Sequence, residues 1–208
     1  MKEIVDKFLY ENEYKSKGYK LIAGVDEVGR GPLAGPVVCA CCIMSDNIVD
    51  GVDDSKKLSK TKREKLYDQI IKNAISYSIC EIDHEKIDEI NILNATKLCM
   101  QNAINTLKIK PDVVFVDAVK LDVDVETLPI IKGDAKSYTI VCASILAKVY
   151  RDRLMEEYAK KYPCYGFEKN SGYGTKQHID KIKEIGPCQI HRKTFIGKIL
   201  AKGKTLWI

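Results

Sequence analysis

Gly24-Val25-Asp26-Glu27-Val28-Gly29-Arg30-Gly31-Pro32-Leu33-Ala34-Gly35-Pro36 is the stretch whose reading decides the fold. Leu21, Ile22, Ala23 and Val25 form an apolar run of the kind found in a buried strand, and two adjacent carboxylates close it. A carboxylate in such a place loses hydration worth several kcal/mol unless a cation or hydrogen-bond donors compensate. Asp26 and Glu27 therefore need such a partner, a cation or a set of donors. Gly29-Arg30-Gly31 follows at once, and its glycines can expose successive backbone N–H groups to a phosphate or a sugar hydroxyl.

Working outward, strands are expected over 20–28 and 36–44 on either side of the Gly/Pro turn, with a third near 75–82. Thr61 and Glu64 read as a capping box, and Leu66, Tyr67, Ile70, Ile71 and Ala74 keep helical spacing after it. A second helix is expected after Asn94, with Ala95, Leu98, Cys99 and Ala103 on one face and Pro111 at its exit. Asp112-Val113-Val114-Phe115-Val116-Asp117 is a continuous apolar run, the pattern of a parallel strand buried on both faces. A short strand over 128–131 leads to Lys132-Gly133-Asp134. From Thr139 to Lys161 the pattern is helical, and Cys142, Ala143, Ser144 and Ala147 would let that helix lie close to a sheet. One more helix is expected over 176–184, closed by Gly186-Pro187. No repeat or linker interrupts this order, so the expectation is one α/β domain over 1–208, a mixed sheet with helices packed on it.

Four carboxylates follow apolar or glycine-containing segments instead of lying on solvated helix faces: Asp26, Glu27, Asp117 and Asp134. If the first strand neighbours the 113–117 strand, Asp26 and Asp117 share one sheet edge and Asp134 approaches from the adjoining loop or helix start. Such an all-oxygen set suits Mg²⁺ or Mn²⁺ rather than zinc. Each residue also has a plainer use: Asp134 as a helix cap, Asp117 as a turn cap, either of the 26/27 pair as an acceptor for backbone donors. Adjacent strand residues point to opposite faces, so Asp26 and Glu27 share a metal site only if the backbone leaves regular strand geometry there, which the nearby glycines would permit. Ser55, Lys56 and Lys57, ahead of a helix, offer hydroxyl and cation to backbone phosphates or simply form a solvated positive surface. Tyr173, between Gly172 and Gly174, is presented for stacking on a base or sugar. His84, His178 and His191 show no zinc-ligand spacing.

Lys+Arg 34 against Asp+Glu 29 gives a formal charge of +5, compatible with a polyanionic partner without demanding one. The eight cysteines sit mostly in apolar runs; Cys39 and Cys42, three apart on one strand, face opposite ways and cannot chelate together. Acidic residues through Met1–Lys17 exclude a secretory or transit leader, and no apolar run reaches membrane-spanning length. A cytoplasmic protein is expected.

In order along nearly the whole chain, Gly24 to Pro36, Asp54 to Ser59, Asn91 to Thr96, Val116-Asp117, Gly133-Asp134 through Ala143 to Asp152, Gly172 to Thr175 and His191 to Phe195 closely resemble bacterial ribonuclease HII, a type 2 ribonuclease H. The resemblance implies a ribonuclease-H-like fold, a mixed five-stranded sheet flanked by helices, with a small helical C-terminal extension over about 175–208. It also implies endonucleolytic cutting of RNA in RNA/DNA hybrids, and 5' of single ribonucleotides in duplex DNA as in ribonucleotide excision repair. A two-metal-ion mechanism leaving 5'-phosphate and 3'-hydroxyl ends would do this, using Mg²⁺ or Mn²⁺ on Asp26, Glu27, Asp117 and Asp134. By position, Gly29, Arg30 and Gly31 match the segment that contacts the 2'-hydroxyl, and Tyr173 matches the tyrosine that packs on the neighbouring deoxyribose. Thr194 stands where serine is expected, keeping the hydroxyl. The extra N-terminal domain of ribonuclease HIII and an obvious sliding-clamp motif are lacking, and a monomer is expected. A receiver-type signalling domain and a non-catalytic hybrid-binding module are the rival readings.

Overall fold

The computed structural model describes residues 6–117 and 119–203. In chain order the elements are α1 (Leu9–Ser16), β1 (Ile22–Val28), β2 (Val37–Met44), α2 (Lys60–Asn73), β3 (Ala74–Ile82), α3 (His84–Asn105), β4 (Val113–Asp117), β5 (Glu126–Ile130), α4 (Gly133–Lys136), α5 (Tyr138–Lys161), α6 (Phe167–Asn170), α7 (Lys176–Ile185) and α8 (Lys193–Gly203). The strands form one sheet in the order β3-β2-β1-β4-β5. β1, β2 and β3 pair antiparallel, whereas β1, β4 and β5 pair parallel. This is the expected mixed sheet, and its antiparallel half is foreign to the parallel receiver-type alternative.

Alternation along the strands divides the core. Ala23, Val25, Cys39, Cys41, Val114 and Val116 face α3, and Val38, Ala40 and Cys42 face α5 and α2. Cys39 and Cys42 thus lie on opposite faces, and all eight cysteines are free thiols. The small residues of α5 are fully or nearly buried against β1 and β2, as their size predicts. Gly24 completes that fit: a Cβ there would lie 2.6 Å from the Thr139 carbonyl oxygen. Burying α5 requires its first turn to be satisfied. Glu11 of α1 does this, its Oε1 accepting from Ser137 Oγ at 2.7 Å, Thr139 N–H at 3.0 Å and Thr139 Oγ1 at 3.1 Å.

Three local readings need correction. The cap of α2 is Ser59, whose hydroxyl accepts from Lys62 N–H; Glu64 instead pairs with Arg153, so no Thr61–Glu64 box forms. The helix expected after Asn94 is the second half of α3, whose first half begins at His84. Asn91 separates the halves at φ 67°, and its Oδ1 caps the second by accepting from Leu93 and Asn94 N–H. Finally, the short strand is Glu126–Ile130, two residues earlier at its start than expected. The expectation for the C-terminal extension is met by α7 and α8 up to residue 203; its last five positions lie outside the described residues, as do the first five of the chain.

Candidate active site

The register of the parallel pair fixes the site. Val25 is opposite Val116, so Asp26 and Asp117 come next at the same sheet edge, where β4 ends. α4 follows β5 and carries Asp134 in its first turn. Asp26, Glu27, Asp117, Asp134, Ser55, Lys56 and Tyr173 all line one small cleft of about 110 Å³, joined by Val28, Ser144 and Lys148. Four carboxylates, two lysines and an aromatic ring from positions 26 to 173 therefore meet in one place.

The strand does not bend to bring Asp26 and Glu27 together. β1 stays in unbroken register with β2 through Glu27↔Cys39 and Val28↔Val38. The departure comes one residue later, at Gly29, whose φ is +94°. The two carboxylates share the cleft because it lies at the end of the sheet, beyond the tip of β4, where side chains from both faces reach the same edge. The expected break at 26/27 is therefore corrected to a break at 29.

Electrostatics at this edge are unfavourable to the isolated protein. Burial, then the charge of Glu27, holds the Asp26 carboxyl well above the ordinary carboxylate range, and the Ser144 hydroxyl offsets this only in part. Glu27 is also raised, by burial first, with Arg30 opposing and Asp117 reinforcing. Asp117 is raised by burial, against the Gly133 N–H that its Oδ1 accepts at 2.8 Å. Two cations temper the cluster: Arg30 Nη1 stands 3.5 Å from Glu27 Oε1, and Lys56 Nζ 3.1 Å from Asp134 Oδ2. Among the described residues no three acidic, histidine or cysteine side chains are closed into a finished metal cage. The donor chemistry nevertheless fits a hard divalent ion: carboxylate oxygens only, with the buried Asp26 and the half-buried Asp117 carrying no ion pair of their own among the described residues and the charge of Asp117 adding to the rise at Asp26.

Other predicted residues surround the cleft rather than line it. Lys57 turns to Asp54, 3.7 Å away, and is not brought to the site. Gly29, Arg30 and Gly31 form its rim, with Gly31 facing the Tyr173 ring: a Cβ on Gly31 would meet Tyr173 Cε1 at 3.6 Å and nothing nearer.

That rim is held by two arginines whose part the sequence did not disclose. Arg151 and Arg192 are both fully buried. Arg192 donates through Nε to Gly35 O at 2.9 Å, through Nη1 to Arg30 O at 2.9 Å and through Nη2 to Gly29 O at 2.6 Å. Arg151 donates to Pro36 O at 2.9 Å, Ser171 O at 2.9 Å and Ala34 O at 3.2 Å. Burial pulls their pKa values down, to about 9 and about 10, yet both stay charged at neutral pH. Six carbonyls, rather than carboxylates, receive these two planar forks, so the Gly29–Pro36 turn is fastened to α5 and to the segment leading into α8.

Comparison with known proteins bears on the same region. A family model described as Ribonuclease HII matches residues 23–198. The ribonuclease HII of Caldicellulosiruptor bescii is 55% identical over 196 residues, covering 93% of this chain and 95% of that protein. The ribonuclease H2 of Pyrococcus horikoshii superposes with a TM-score of 0.75 at 30% identity, covering 89% of this chain and 100% of that one. The RNase HII of Archaeoglobus fulgidus, solved in complex with PCNA, gives a TM-score of 0.75 at 28% identity, covering 90% and 98%. The fold, the carboxylate-lined sheet edge and these matches agree, and the chain belongs to the ribonuclease HII family of metal-dependent endonucleases.

Proposed function

We propose that this chain hydrolyses the RNA strand of RNA/DNA hybrids and cuts on the 5' side of single ribonucleotides in duplex DNA, leaving 5'-phosphate and 3'-hydroxyl ends. The observation that carries the reading is the convergence of Asp26, Glu27, Asp117 and Asp134 on one cleft that also holds Lys56 and Tyr173. These four carboxylates would hold two divalent ions, Mg²⁺ or Mn²⁺, which when bound supply a hydroxide-like nucleophile near neutral pH and stabilise charge on the departing 3'-oxygen.

The chain's own residues account for selection and placement. Only the 2'-hydroxyl distinguishes a ribonucleotide from its DNA neighbours, so a reader of sugar chemistry is required beside the carboxylates. The Gly29–Gly31 turn stands there, its carbonyls at 29 and 30 drawn back by Arg192. The Tyr173 ring, 43% exposed, offers a face for the sugar on the other side of Gly31. Lys56, paired with Asp134 alone among the described residues, is placed to follow a phosphate, and Ser55 is bonded to Ser144 at 3.0 Å beneath it. We further read residues 1–208 as one catalytic unit, because the segment before α8 braces the turn after β1, and expect that unit to act as a monomer. Free thiols throughout fit a cytoplasmic setting, and among the described residues no helix is long and apolar enough to cross a membrane.

The test separates binding from cleavage. Asp117→Asn keeps the Gly133 N–H acceptor and removes the charge; it is expected to retain hybrid binding in anisotropy measurements and to lose cutting of the same labelled hybrid. Turnover at the wild-type rate in that variant would overturn the assignment.

A further inference from the structure

The two histidines at the C-terminal side of the cleft lack metal-ligand spacing, but they are buried against each other. His178 is fully buried and His191 almost so, with their Nε2 atoms 3.0 Å apart. One hydrogen lies between those nitrogens, and the neighbours decide which ring supplies it. His178 Nδ1 stands 2.9 Å from the Tyr173 carbonyl oxygen, which can only accept, so Nδ1 carries the proton and Nε2 of the neutral ring is the acceptor. With His178 Nε2 accepting, His191 Nε2 carries the proton, and the neutral ring's Nδ1 is left to accept from Cys188 N–H at 2.9 Å, the shortest of its contacts with Cys188, whose O and Sγ each lie 3.2 Å away. The Tyr173 carbonyl thus sets the order for the whole chain: Cys188 N–H to His191, His191 to His178, His178 to the Tyr173 carbonyl. Burial lowers the pKa of both imidazoles, that of His191 to about 4, which keeps the rings neutral and the order single at neutral pH.

The end of this chain is the segment that presents the exposed ring. Ser171 and Gly172 precede Tyr173 in left-handed conformations, at φ 47° and 82°, so regular secondary structure does not set its path. The Tyr173 N–H is held by Asn170 O at 2.8 Å, and its carbonyl by His178 and by Thr175 N–H at 2.8 Å. The histidines themselves are wedged among Tyr165 and Phe167, with ring centroids 4.9 Å apart for Tyr165–His191 and 5.4 Å for Phe167–His178. His191 also bridges to Ala34 in the Gly/Pro turn, and Arg192, the next residue, binds the Gly29 and Arg30 carbonyls. One two-residue step thus braces both walls that face each other across Gly31.

We propose that His178 and His191 are positioning residues for recognition of the ribonucleotide junction, fixing the Tyr173 backbone so that its ring stays in register with the Gly29–Gly31 turn. The inference rests on the functional reading above. Neither imidazole touches substrate; both act through Tyr173.

A double-mutant cycle on a duplex bearing one ribonucleotide tests this. His178→Phe fills the aromatic niche but removes the Nδ1–H donor, and is expected to raise KM about tenfold with kcat changed less than about threefold. In a Tyr173→Ala background the same substitution is expected to add nothing. His178→Asn, whose amide N–H stands where Nδ1–H stood, is expected to recover KM to within about threefold of wild type, whereas His178→Gln is not. Additive losses in the double variant, or equal losses with Asn and Gln, would overturn the proposal. If His178→Phe does not fold, the Asn and Gln variants alone decide between these outcomes. Long-range ¹H–¹⁵N spectra of the wild-type protein give an answer independent of activity: protons on His178 Nδ1 and His191 Nε2 are expected, and a proton on His191 Nδ1 would refute the chain. Wild-type protein that leaves a ribonucleotide-containing duplex uncut would count against the functional reading, with the spectra still judging the relay.

Discussion

Gly29 and Gly31 flank the same arginine, yet the structure gives them different work, and alanine at each separates scaffold from site. At Gly29 the backbone has φ +94°, a conformation that costs an L-residue about 1–2 kcal/mol. Its new Cβ would also lie 2.8 Å from Arg151 Cδ and 2.8 Å from Pro36 O, and the Arg151 fork cannot yield without releasing its three carbonyls. Overpacking of this kind costs roughly 1–3 kcal/mol more. Gly29→Ala is therefore expected to lose about 2–5 kcal/mol, a fall in Tm of roughly 5–15 °C for a chain of this size. Gly31 is outside the positive-φ region, and its Cβ would meet only the edge of Tyr173, at 3.6 Å. Gly31→Ala should hold its Tm within the equivalent of about 1 kcal/mol, since it meets no clash and restricts the unfolded chain. On the proposed function the methyl group would nevertheless stand in the path of the ribose, and a displacement of about an ångström there is expected to cost cleavage about 100-fold. Thermal melts and initial rates on a duplex with one ribonucleotide measure both quantities. Gly31→Ala cutting at the wild-type rate, or destabilised as much as Gly29→Ala, would refute the reasoning.

Three further outcomes follow from the same structure. Asp26→Asn removes a buried charge that its neighbours repel, so Tm should rise at neutral pH while cleavage falls about 100-fold or more; an unchanged or lower Tm would contradict the electrostatic account. Glu11→Ala leaves Ser137 Oγ, Thr139 N–H and Thr139 Oγ1 without their acceptor at the start of α5, and urea unfolding should show a loss of about 2–4 kcal/mol; a wild-type midpoint would refute that role. His191 titrates at about 4 in the folded protein and near 6.5 unfolded, so the unfolded chain binds the extra proton between those values. Its contribution is whole above pH 6.5 and is lost as pH falls toward 4, about 3 kcal/mol in all; His191→Gln should show a correspondingly flatter acid limb, and identical limbs would contradict the burial argument.

Much of the sheet edge was legible because its signal is local. An apolar run that ends on a carboxylate, as in Val116-Asp117 or Val25-Asp26, states both the strand and the exit point, and parallel pairing then brings such ends together. Local chemistry also misled: Thr61 and Glu64 have the spacing of a capping box, but Ser59 two residues earlier captures the helix start and Arg153 captures Glu64. The first half of α3 was missed because, over residues 84–90, only Ile87 and Ile90 mark an apolar face among five charged or titratable residues. What stayed hidden altogether is long-range and addressed to backbone. Arg192 reaches a carbonyl 163 positions away, Glu11 a helix start 128 away, and no side-chain motif records either. The His178–His191 pair is separated by thirteen positions, a spacing with no meaning until α7 and the turn before α8 fold together. The residue pattern offered Gly29 to Gly31 as a cradle for a phosphate or sugar hydroxyl and Tyr173 as a stacking ring, and the resemblance narrowed these to the 2'-hydroxyl and the neighbouring deoxyribose.

The central claim is that the carboxylate-lined cleft cuts nucleic acid where a 2'-hydroxyl is present. It is tested most directly by incubating the protein with an end-labelled DNA duplex carrying one ribonucleotide, beside an all-DNA control, with Mg²⁺ or Mn²⁺ and then with chelator. Metal-dependent cutting on the 5' side of the ribonucleotide, with the control intact and chelator abolishing the product, is the predicted result. No cutting with either metal by folded protein, or equal cutting of the all-DNA control, would contradict the account.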